Sequence, residues 1–278
     1  MSEIKCCTVS CDMPLNQNYW DSQYQSNKLG WDLGTVSPPI KSYIDTIENK
    51  DAAILIPGSG NSYEAEYLSS QGFTNIMLID IAPSLVEKLH QKFNTDSNIS
   101  ILLGDFFDHQ GQYDYIIEQT FFCALPPTMR QQYVFKMHSL LLPHGKLVGL
   151  LFNREFEAGP PFGGSRVEYE ALFREAFIFN TITVAADSVS ARTNDELFIE
   201  FERNRQNVVN LYHFTGITCV GCMESVSESI SKIPNVRNVT MNTAFSELLI
   251  VSKNEIEIAE LQKVIADDAN YNIFTSQR

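Results

Sequence analysis

Residues 54–62, with the sequence ILIPGSGNS, carry the strongest structural signal in the chain. The apolar run stops at a turn that contains Gly58 and Gly60, and a helix-like segment begins at Tyr63. This order predicts a buried strand, a tight loop and the start of a helix. Glycines in such a loop let a ligand approach the backbone closely, although a plain turn between a strand and a helix has the same pattern.

A carboxylate follows the next predicted strand. Residues 76–80, IMLID, form a second apolar run that ends at Asp80, about twenty residues after the glycine turn. In nucleoside-binding α/β folds, an acidic side chain at about this spacing accepts hydrogen bonds from ribose hydroxyls. The two features together therefore indicate a ligand of nucleoside type.

Strands and helices alternate through the first two hundred residues. We predict strands at 52–57, 75–80, 99–103, 113–118, 146–152, 177–185 and 195–202, and helices at 16–27, 37–47, 61–71, 82–93, 127–142 and 165–174. Such alternation predicts a mostly parallel sheet covered on both faces, with ligands beyond the carboxyl ends of the strands. The loops after Ile56, Asp80, Leu103 and Glu118 should then face one cleft.

Composition excludes several classes of function. The chain has 278 residues and a formal charge of -14, with no Lys/Arg cluster, so we expect neither nucleic acid nor an anionic membrane surface as a partner. It has no apolar run of membrane-spanning length and no secretory signal pattern, which predicts the cytoplasm and reduced cysteines. Cys6, Cys7 and Cys11 lie in a patternless tail, residues 1–14, for which a frayed end and a soft-metal site are both open.

The pattern changes after a polar segment at 204–207, which we interpret as a linker between a domain at 15–203 and another at 208–278. Strands are predicted at 208–214, 236–241, 248–251 and 271–274, and helices at 222–233 and near 258–265. This β-α-β-β-α-β order is that of the ferredoxin-like α+β sandwich.

Several linked motifs between residues 16 and 203 resemble those of the thiopurine methyltransferase superfamily, in particular the halide and thiol methyltransferases of plants and bacteria. They are Trp20, Tyr24, GWDLG (30–34), IPGSG (56–60), GDFF (104–107), YDYIIE (113–118), FFCAL (121–125) and GPPF (159–162). The resemblance implies a Rossmann-like, seven-stranded α/β sheet of class I methyltransferases, whose last strand is antiparallel. It also implies S-adenosylmethionine as the methyl donor.

Positions within these motifs imply which residues contact the donor. The resemblance assigns Trp20, Tyr24 and Trp31 to a lid, Gly58 and Gly60 to the methionine portion, Asp80 to the ribose, Asp105 and Phe106 to the adenine, and Gln119 to a further donor contact. From the residues alone, Asp105 has the alternative role of a helix N-cap, and the lid aromatics have the alternative of plain core packing.

The acceptor pocket is expected to have an apolar wall formed by Phe121, Phe122 and Phe162, with Phe152 beside them. Methyl transfer to a soft anion such as a thiolate, hydrosulfide or iodide requires proximity and desolvation but no general base. No histidine falls in a motif, and those at 90, 109, 138 and 144 are expected on surfaces, so no catalytic residue is assigned. An oxygen or nitrogen acceptor would need a base, for which Asp32 and Glu118 are the candidates.

Residues 216–222, GITCVGC, place Cys219 and Cys222 in the loop before the first helix of the second domain. Thiols at a helix N-terminus ionise readily, and two of them suit one soft ion. The segment 208–275 resembles the heavy-metal-associated domain of copper chaperones and metal-transporting ATPases, which favours Cu(I), with Zn(II), Cd(II) and Hg(II) as alternatives. A disulfide is disfavoured by the compartment, and metal transfer would require a metallochaperone or similar partner.

The sequence therefore predicts an S-adenosylmethionine-dependent methyltransferase for a small soft nucleophile, joined to a soft-metal-binding module. Thiols, sulfide, halides and chalcogen or metalloid species are the acceptors considered. The alternative is a metal-trafficking or metal-sensing protein whose methyltransferase-like half binds the donor without turnover.

Overall fold

A computed structural model describes residues 14–265 and 271–275 of the chain. The three N-terminal cysteines and most of the tail therefore lie outside the described residues. Within these two ranges, no helix has both the length and the apolar character needed to cross a bilayer.

The first domain is built on one seven-stranded sheet. Its elements are α1 (Gln17–Gln25), α2 (Pro38–Ile44), β1 (Ile54–Pro57), α3 (Tyr63–Ser70), β2 (Ile76–Asp80), α4 (Pro83–Lys92), β3 (Ile99–Leu103), β4 (Tyr113–Gln119), α5 (Arg130–Leu140), β5 (Leu141–Phe152), α6 (Arg166–Phe173), β6 (Phe177–Val184) and β7 (Glu196–Arg203). The strand order is β3-β2-β1-β4-β5-β7-β6, and β7 runs antiparallel to both of its neighbours. This arrangement confirms the predicted class I methyltransferase fold.

Local sequence explains where these elements begin. The side chain of Asn16 accepts a hydrogen bond from the Tyr19 N–H at 3.1 Å and caps α1, and prolines open α2 and α4. All four residues of β1 are buried, as expected for a central parallel strand covered by helices on both faces. Because β1, β2, β3 and β4 are parallel, their carboxyl ends meet at one edge of the sheet.

The second domain has the predicted ferredoxin-like order. It consists of β8 (Val208–Thr215), α7 (Val220–Ser231), β9 (Val236–Met241), β10 (Glu247–Ser252), α8 (Ile258–Ile265) and β11 (Asn272–Thr275). The antiparallel sheet has the order β11-β8-β10-β9, and one of its faces packs on α7 and α8. The segment between the two domains is anchored, because Asn204 and Asn207 each donate a side-chain hydrogen bond of 2.9 Å to the Glu175 carbonyl.

The other face of the second sheet packs against helix α5 of the first domain. Four apolar side chains on this face belong to the same hydrophobic core as the buried side chains of α5. They are Val209, Leu211, Leu249 and Val251. No residue of α5 is exposed, so this helix is buried between its own sheet and the sheet of the second domain. The layers in this part of the molecule are therefore the seven-stranded sheet, helix α5, the four-stranded sheet and helices α7 and α8, in that order.

The burial of α5 corrects one expectation. His138, expected on a helix surface, is buried, and burial beside Arg203 lowers its pKa to about 4. His109 is also buried, and its Nε2 lies 2.6 Å from the hydroxyl of Tyr113. Both predictions were wrong because a helix covered on two sides, and a turn packed against a strand, have no solvent-facing side at those positions.

Replacing Leu249 by alanine tests the packing of the two domains. The side chain is buried in the core shared with α5, so its truncation should lower the free energy of unfolding by roughly 2–5 kcal/mol. Val220→Ala, at an exposed position of the same domain, should change it by no more than about 0.5 kcal/mol. Urea unfolding of both full-length variants measures this, and equal effects of the two substitutions would contradict the shared core.

Candidate active site

One cleft of about 1170 Å³ opens at the carboxyl ends of the parallel strands. It is lined by residues from the N-terminal helix and loop, from the turns after β1, β2, β3 and β4, and from the loops after β5 and before β7. The four turns that were predicted to converge thus do so. A cleft at this position is where ligands of open α/β sheets bind.

Asp80 lies at the centre of the cleft wall, at the end of β2. Its Oδ2 accepts a hydrogen bond from the Gly60 N–H at 3.3 Å, and its Oδ1 accepts one from the Ala82 N–H at 3.0 Å. Burial nevertheless raises the pKa of Asp80 to about 6, so desolvation outweighs the backbone N–H groups of Ala82, Gly60 and Ile81, which lower it. The side chain is therefore a fixed acceptor that is charged above about pH 6.

The two glycines of the turn after β1 differ in how closely other side chains pack on them. A β-carbon on Gly58 would lie 2.3 Å from Cδ2 of Phe121, so the ring of Phe121 packs directly on the glycine backbone. At Gly60 the nearest atom to such a β-carbon would be the hydroxyl oxygen of Tyr24, at 3.7 Å. Both glycines have positive φ angles, +54° and +51°, which disfavour other residues.

Aromatic side chains from the N-terminal segment line one wall of the cleft. The ring centroid of Trp31 lies 5.7 Å from that of Trp20 and 5.8 Å from that of Tyr24, and both pairs are edge-to-face. Burial and the nearby Asp80 raise the pKa of Tyr24, so its hydroxyl stays protonated. Arg192 connects this wall to the sheet. Its guanidinium donates one hydrogen bond of 2.8 Å to the Trp31 carbonyl and another of 3.1 Å to the Glu196 carboxylate, at the start of β7.

The turn after β3 contributes a carboxylate and a ring. Asp105 Oδ1 accepts from the Phe107 N–H at 2.8 Å, so Asp105 caps the short 3-10 turn Phe106–Asp108 while lining the cleft. The capping alternative is therefore real, and it is compatible with a ligand contact. Phe106 is buried, with its ring centroid 5.1 Å from that of Phe121.

Two polar groups of the cleft have no hydrogen-bond partner among the residues that the structure describes. The buried side-chain nitrogen and oxygen of Gln119, at the end of β4, make no hydrogen bond among the described residues, and neither does the buried hydroxyl of Ser59. A buried polar group that stays unpaired is destabilising by about 1–3 kcal/mol. These atoms mark the place where a polar ligand would complete the site, and Ser59 was missed because a serine in a glycine turn has no distinctive signal.

Glu118 does not reach the cleft, which removes it as a candidate general base. Its carboxylate is fully buried and accepts from the Phe121 N–H at 2.8 Å, the Phe122 N–H at 3.0 Å and the Tyr133 hydroxyl at 2.7 Å. Burial raises its pKa to about 7. Asp32 does line the cleft, but it accepts from the Gly34 N–H at 2.7 Å and contacts the Asn61 amide.

The far end of the cleft is largely apolar. Its wall includes Phe121, Phe152, Phe156, Phe162, Leu125 and Met129. Phe122 was wrongly placed there: only 2% of its surface is exposed, and its ring packs on Tyr133 and Tyr169 in the core. Cys123 is a buried thiol whose pKa is raised by burial, as expected for a packing residue and not a nucleophile.

The cationic side chains at this end already have partners. Arg154 donates to Asp195 at 2.7 Å, and its guanidinium lies 4.8 Å from the ring centroid of Phe156. Arg166 lies on the surface, where it pairs with Glu170. From the sequence, Arg154, Arg166 and Arg192 could each bind an oxyanion of the acceptor or lie on the surface, but the pairing of Arg154 with Asp195 could not be predicted, because an ion pair formed 41 residues apart leaves no local pattern.

Cys219 and Cys222 lie at the N-terminus of α7, where Cys219 is the N-cap and its sulfur accepts from the Cys222 N–H at 3.2 Å. Their Cα atoms are 5.3 Å apart, and the structure joins the two sulfurs in a disulfide. The expectation that no disulfide would form is therefore wrong for this form of the chain. The physical reason is the cap geometry, which directs both sulfurs to one side of the helix end.

Among the described residues, no group of three or more His, Cys, Asp or Glu side chains is arranged to hold a metal ion. The loop thus supplies two sulfur ligands, and an ion would require the reduced form of the pair.

Comparison with known proteins identifies two families in tandem. Residues 15–211 match the family model described as thiopurine S-methyltransferase, and residues 212–272 match that of the heavy-metal-associated domain. The chain is 33% identical over 159 residues to probable thiol methyltransferase 2 of Arabidopsis thaliana, covering 55% of this chain and 70% of that protein. It is 28% identical over 190 residues to thiopurine S-methyltransferase of Acinetobacter baylyi, covering 59% and 86%.

Solved structures share the fold at low sequence identity. A 1,6-didemethyltoxoflavin-N1-methyltransferase from Burkholderia thailandensis, with bound S-adenosylhomocysteine, has a TM-score of 0.55 at 15% identity and covers 67% of this chain and 86% of its own. A magnesium protoporphyrin IX methyltransferase from Synechocystis PCC 6803 with bound S-adenosylmethionine has a TM-score of 0.54 at 13% identity, covering 67% and 94%. At these identities the likeness establishes the fold alone.

Glu118→Gln tests the role of the buried carboxylate. The pKa of Glu118 is raised in the folded state, so its contribution to stability is fully present below the unfolded pKa of 4.5 and is lost as pH rises through about 7. Measured as the difference from the variant, wild-type stability should fall by up to roughly 3 kcal/mol between pH 4.5 and 8. Denaturant unfolding across this range provides the measurement. Glu48→Gln, at an exposed position, should change the free energy of unfolding by no more than about 0.5 kcal/mol at pH 7, and a pH-independent difference for Glu118→Gln would contradict the assignment.

Proposed function

Because the chain belongs to the thiopurine S-methyltransferase family through residues 15–211, we propose that it transfers the methyl group of S-adenosylmethionine to a small soft nucleophile. A thiol, hydrosulfide, a halide or a chalcogen or metalloid anion has the required chemistry. We further propose that Cys219 and Cys222 of the second domain bind a soft metal ion. Such binding requires reduced thiols, and it is in keeping with a cytoplasmic protein.

The observation that supports this proposal best is the change in polarity across this cleft, in the order of the strands. The carboxylates of Asp80 and Asp105 lie on the β2–β3 side, Gln119 lies at the end of β4, and the rings of Phe152, Phe156 and Phe162 lie on the β5 side. A nucleoside sulfonium has a polar adenosyl portion and a cationic sulfur, and it fits between the two sides. The methyl group would then face the apolar wall.

The donor assignment follows from hydrogen-bonding capacity. Each carboxylate oxygen of Asp80 accepts one backbone N–H and retains a lone pair for a ribose hydroxyl. Asp105 and Phe106 offer an acceptor and an apolar surface for the adenine, while Gly58 and Gly60 pass beneath the methionine portion. Trp20, Tyr24 and Trp31 close over it, and the donor gives Gln119 the hydrogen-bond partners that the described part of the chain does not provide.

The acceptor assignment follows from what the far end lacks. Among the described residues that line it, Asp195 is paired with Arg154. Of the two carboxylates nominated as a base, Glu118 lies outside the cleft, and Asp32, which lines it, already accepts hydrogen bonds from the Gly34 N–H and the Asn61 amide. A thiolate or iodide needs no proton removed during transfer. Its lone pair forms the new bond to the methyl carbon, and the electrons of the broken bond remain on the donor sulfur. Because this reaction neutralises an anion and a sulfonium, a dry apolar wall favours it.

The second domain supplies the proposed metal chemistry. Cys219 and Cys222 present two sulfur ligands at a helix start, with the exposed Val220 between them. Thiolate ligands select soft ions, and a pair of them suits Cu(I) best. A two-ligand site leaves room for thiols of a metal-transfer partner, which is the partner that we propose.

Turnover of defined nucleophiles tests the proposed activity. Purified full-length protein with S-adenosylmethionine should produce methanethiol from hydrosulfide, thioanisole from thiophenol or iodomethane from iodide, detected by gas chromatography. Cys219→Ser/Cys222→Ser should retain this turnover while losing Cu(I) binding, since the pair lies outside the cleft. Donor binding without any methylated product from this panel would instead favour a sensor or trafficking protein.

The pKa of Asp80 gives the donor affinity a defined pH dependence. Its carboxylate is charged above about pH 6 and protonated below, so S-adenosylmethionine should bind with constant affinity above pH 7 and about tenfold more weakly by pH 5. The Asp80→Asn variant should bind S-adenosylmethionine at least tenfold more weakly than the wild type at pH 7.5. Its affinity should not fall tenfold between pH 7 and pH 5, because the amide does not titrate. Isothermal titration calorimetry measures both, and parallel pH profiles of the two proteins would exclude Asp80 as the titrating group.

A further inference from the structure

The turn between β9 and β10 brings the second domain to the apolar end of the cleft. Asn242 opens this turn, and only 3% of its surface is exposed. Its Oδ1 accepts from the Ser246 N–H at 2.9 Å and the Glu247 N–H at 3.1 Å. Its Nδ2 donates to the backbone carbonyl of Thr128 in the first domain, at 2.9 Å. The Nδ2 also donates to the Ser246 Oγ at 3.2 Å. The amide thus bonds to its own turn through both atoms and to the other domain through its nitrogen.

Thr128 belongs to a segment that forms the cleft wall. It lies in the 3-10 turn Pro127–Met129, which joins the wall residues Ala124–Pro126 to the start of α5. Met129 follows directly, lines the cleft, and donates its N–H to the Pro126 carbonyl at 2.9 Å. The hydrogen bonds of a three-residue 3-10 turn have poorer geometry than those of an α-helix, and this turn continues directly into α5. A hydrogen bond from outside to its Thr128 carbonyl therefore helps to fix its position.

A second interdomain contact of the same chemistry lies elsewhere. Asn238 Nδ2 donates to the carbonyls of Ala171 and Arg174, at 3.0 and 3.2 Å, at the C-terminal end of α6. Neither of those residues lines the cleft. Both asparagines therefore bond the second domain to the first, but only the Asn242 contact reaches a segment of the cleft wall.

We infer that Asn242 is a positioning residue for the acceptor end of the active site. Through the Thr128 carbonyl it holds Met129 and the adjoining wall in place, so the second domain completes the acceptor pocket of the first. The inference rests on the proposed function only in assigning that end of the cleft to the acceptor. It makes the metal-binding domain a structural part of the methyltransferase as well as a separate ligand-binding module.

Asn242→Asp tests the interdomain bond. A carboxylate still accepts the N–H groups of Ser246 and Glu247, and the Ser246 hydroxyl can rotate to donate to it. Toward the Thr128 carbonyl, however, the variant presents an oxygen in place of the N–H donor. Asn238→Asp makes the same chemical change at the contact remote from the cleft. With thiophenol as the acceptor probe and full-length protein, Asn242→Asp should raise the KM for thiophenol about tenfold. The KM for S-adenosylmethionine should stay within about twofold, and Asn238→Asp should leave both within about twofold.

Amide hydrogen exchange tests the inference without turnover. Residues 125–130 should exchange about tenfold faster in Asn242→Asp than in the wild type, and at the wild-type rate in Asn238→Asp. A failure of thiophenol turnover with this exchange pattern would count against the proposed acceptor and support the positioning role. Equal exchange in the two variants, or an equal change in KM, overturns the inference.

Two further variants guard against a folding defect. Asn242→Ser keeps a short hydroxyl for its own turn but cannot span the distance to Thr128, so it should reproduce the exchange and KM effects if Asn242→Asp does not fold. Met129→Ala should raise the KM for thiophenol by itself and reduce the additional effect of Asn242→Asp to less than about twofold. Full additivity of the two substitutions would show that Asn242 does not act through this wall.

Discussion

The carboxylate of Glu118 connects strand β4, the turn that follows it and helix α5. It lies at the end of β4 and accepts hydrogen bonds from two N–H groups of the following turn and from Tyr133 on α5. The turn carries Phe121, whose ring packs on Gly58 in the turn after β1, and the second domain packs on α5. Gly149 of β5 is needed beside it, because a β-carbon there would lie 2.2 Å from the Glu118 carbonyl oxygen. A buried acid with three donors is thus kept where an apolar residue would leave the turn without partners.

The sequence predicted the parts of the site that depend on local pattern. Apolar runs ending at Gly58, Asp80 and Gly104 define the strand ends, and parallel topology then brings those ends together whatever the details of packing. Phe121 and Phe122 could not be separated in this way. They are adjacent in a short turn whose two N–H groups both bond to Glu118. Tertiary packing places the Phe122 ring against Tyr133 and Tyr169 in the core, while Phe121 lines the cleft.

The sequence of the second sheet contains a sign that the two domains pack together. Two of its strands are apolar on both faces, whereas a half-buried strand would alternate apolar and polar residues. In β8, Val209 and Leu211 face the first domain, while Tyr212 and Phe214 face α7 and α8. In β10 the apolar run 248–251 is buried on both faces. Strands that are apolar at odd and even positions are buried on both sides. An isolated ferredoxin-like sandwich covers only one face of its sheet with helices, so such strands require a further partner, which here is α5.

The same topology places the cysteine pair and the cleft wall at one end of the second sheet. Antiparallel pairing sets the end of β8 beside the start of β10, and the Phe214 N–H donates to the Ser246 carbonyl at 2.8 Å. Phe214 lies two residues before the loop that carries the cysteines, and Ser246 belongs to the turn that Asn242 caps. The sulfur site and the apolar end of the cleft are therefore linked through one hydrogen-bonded turn. Because that turn is packed on one side and bonded to Thr128 on the other, the order of the cleft wall depends on the order of the second domain.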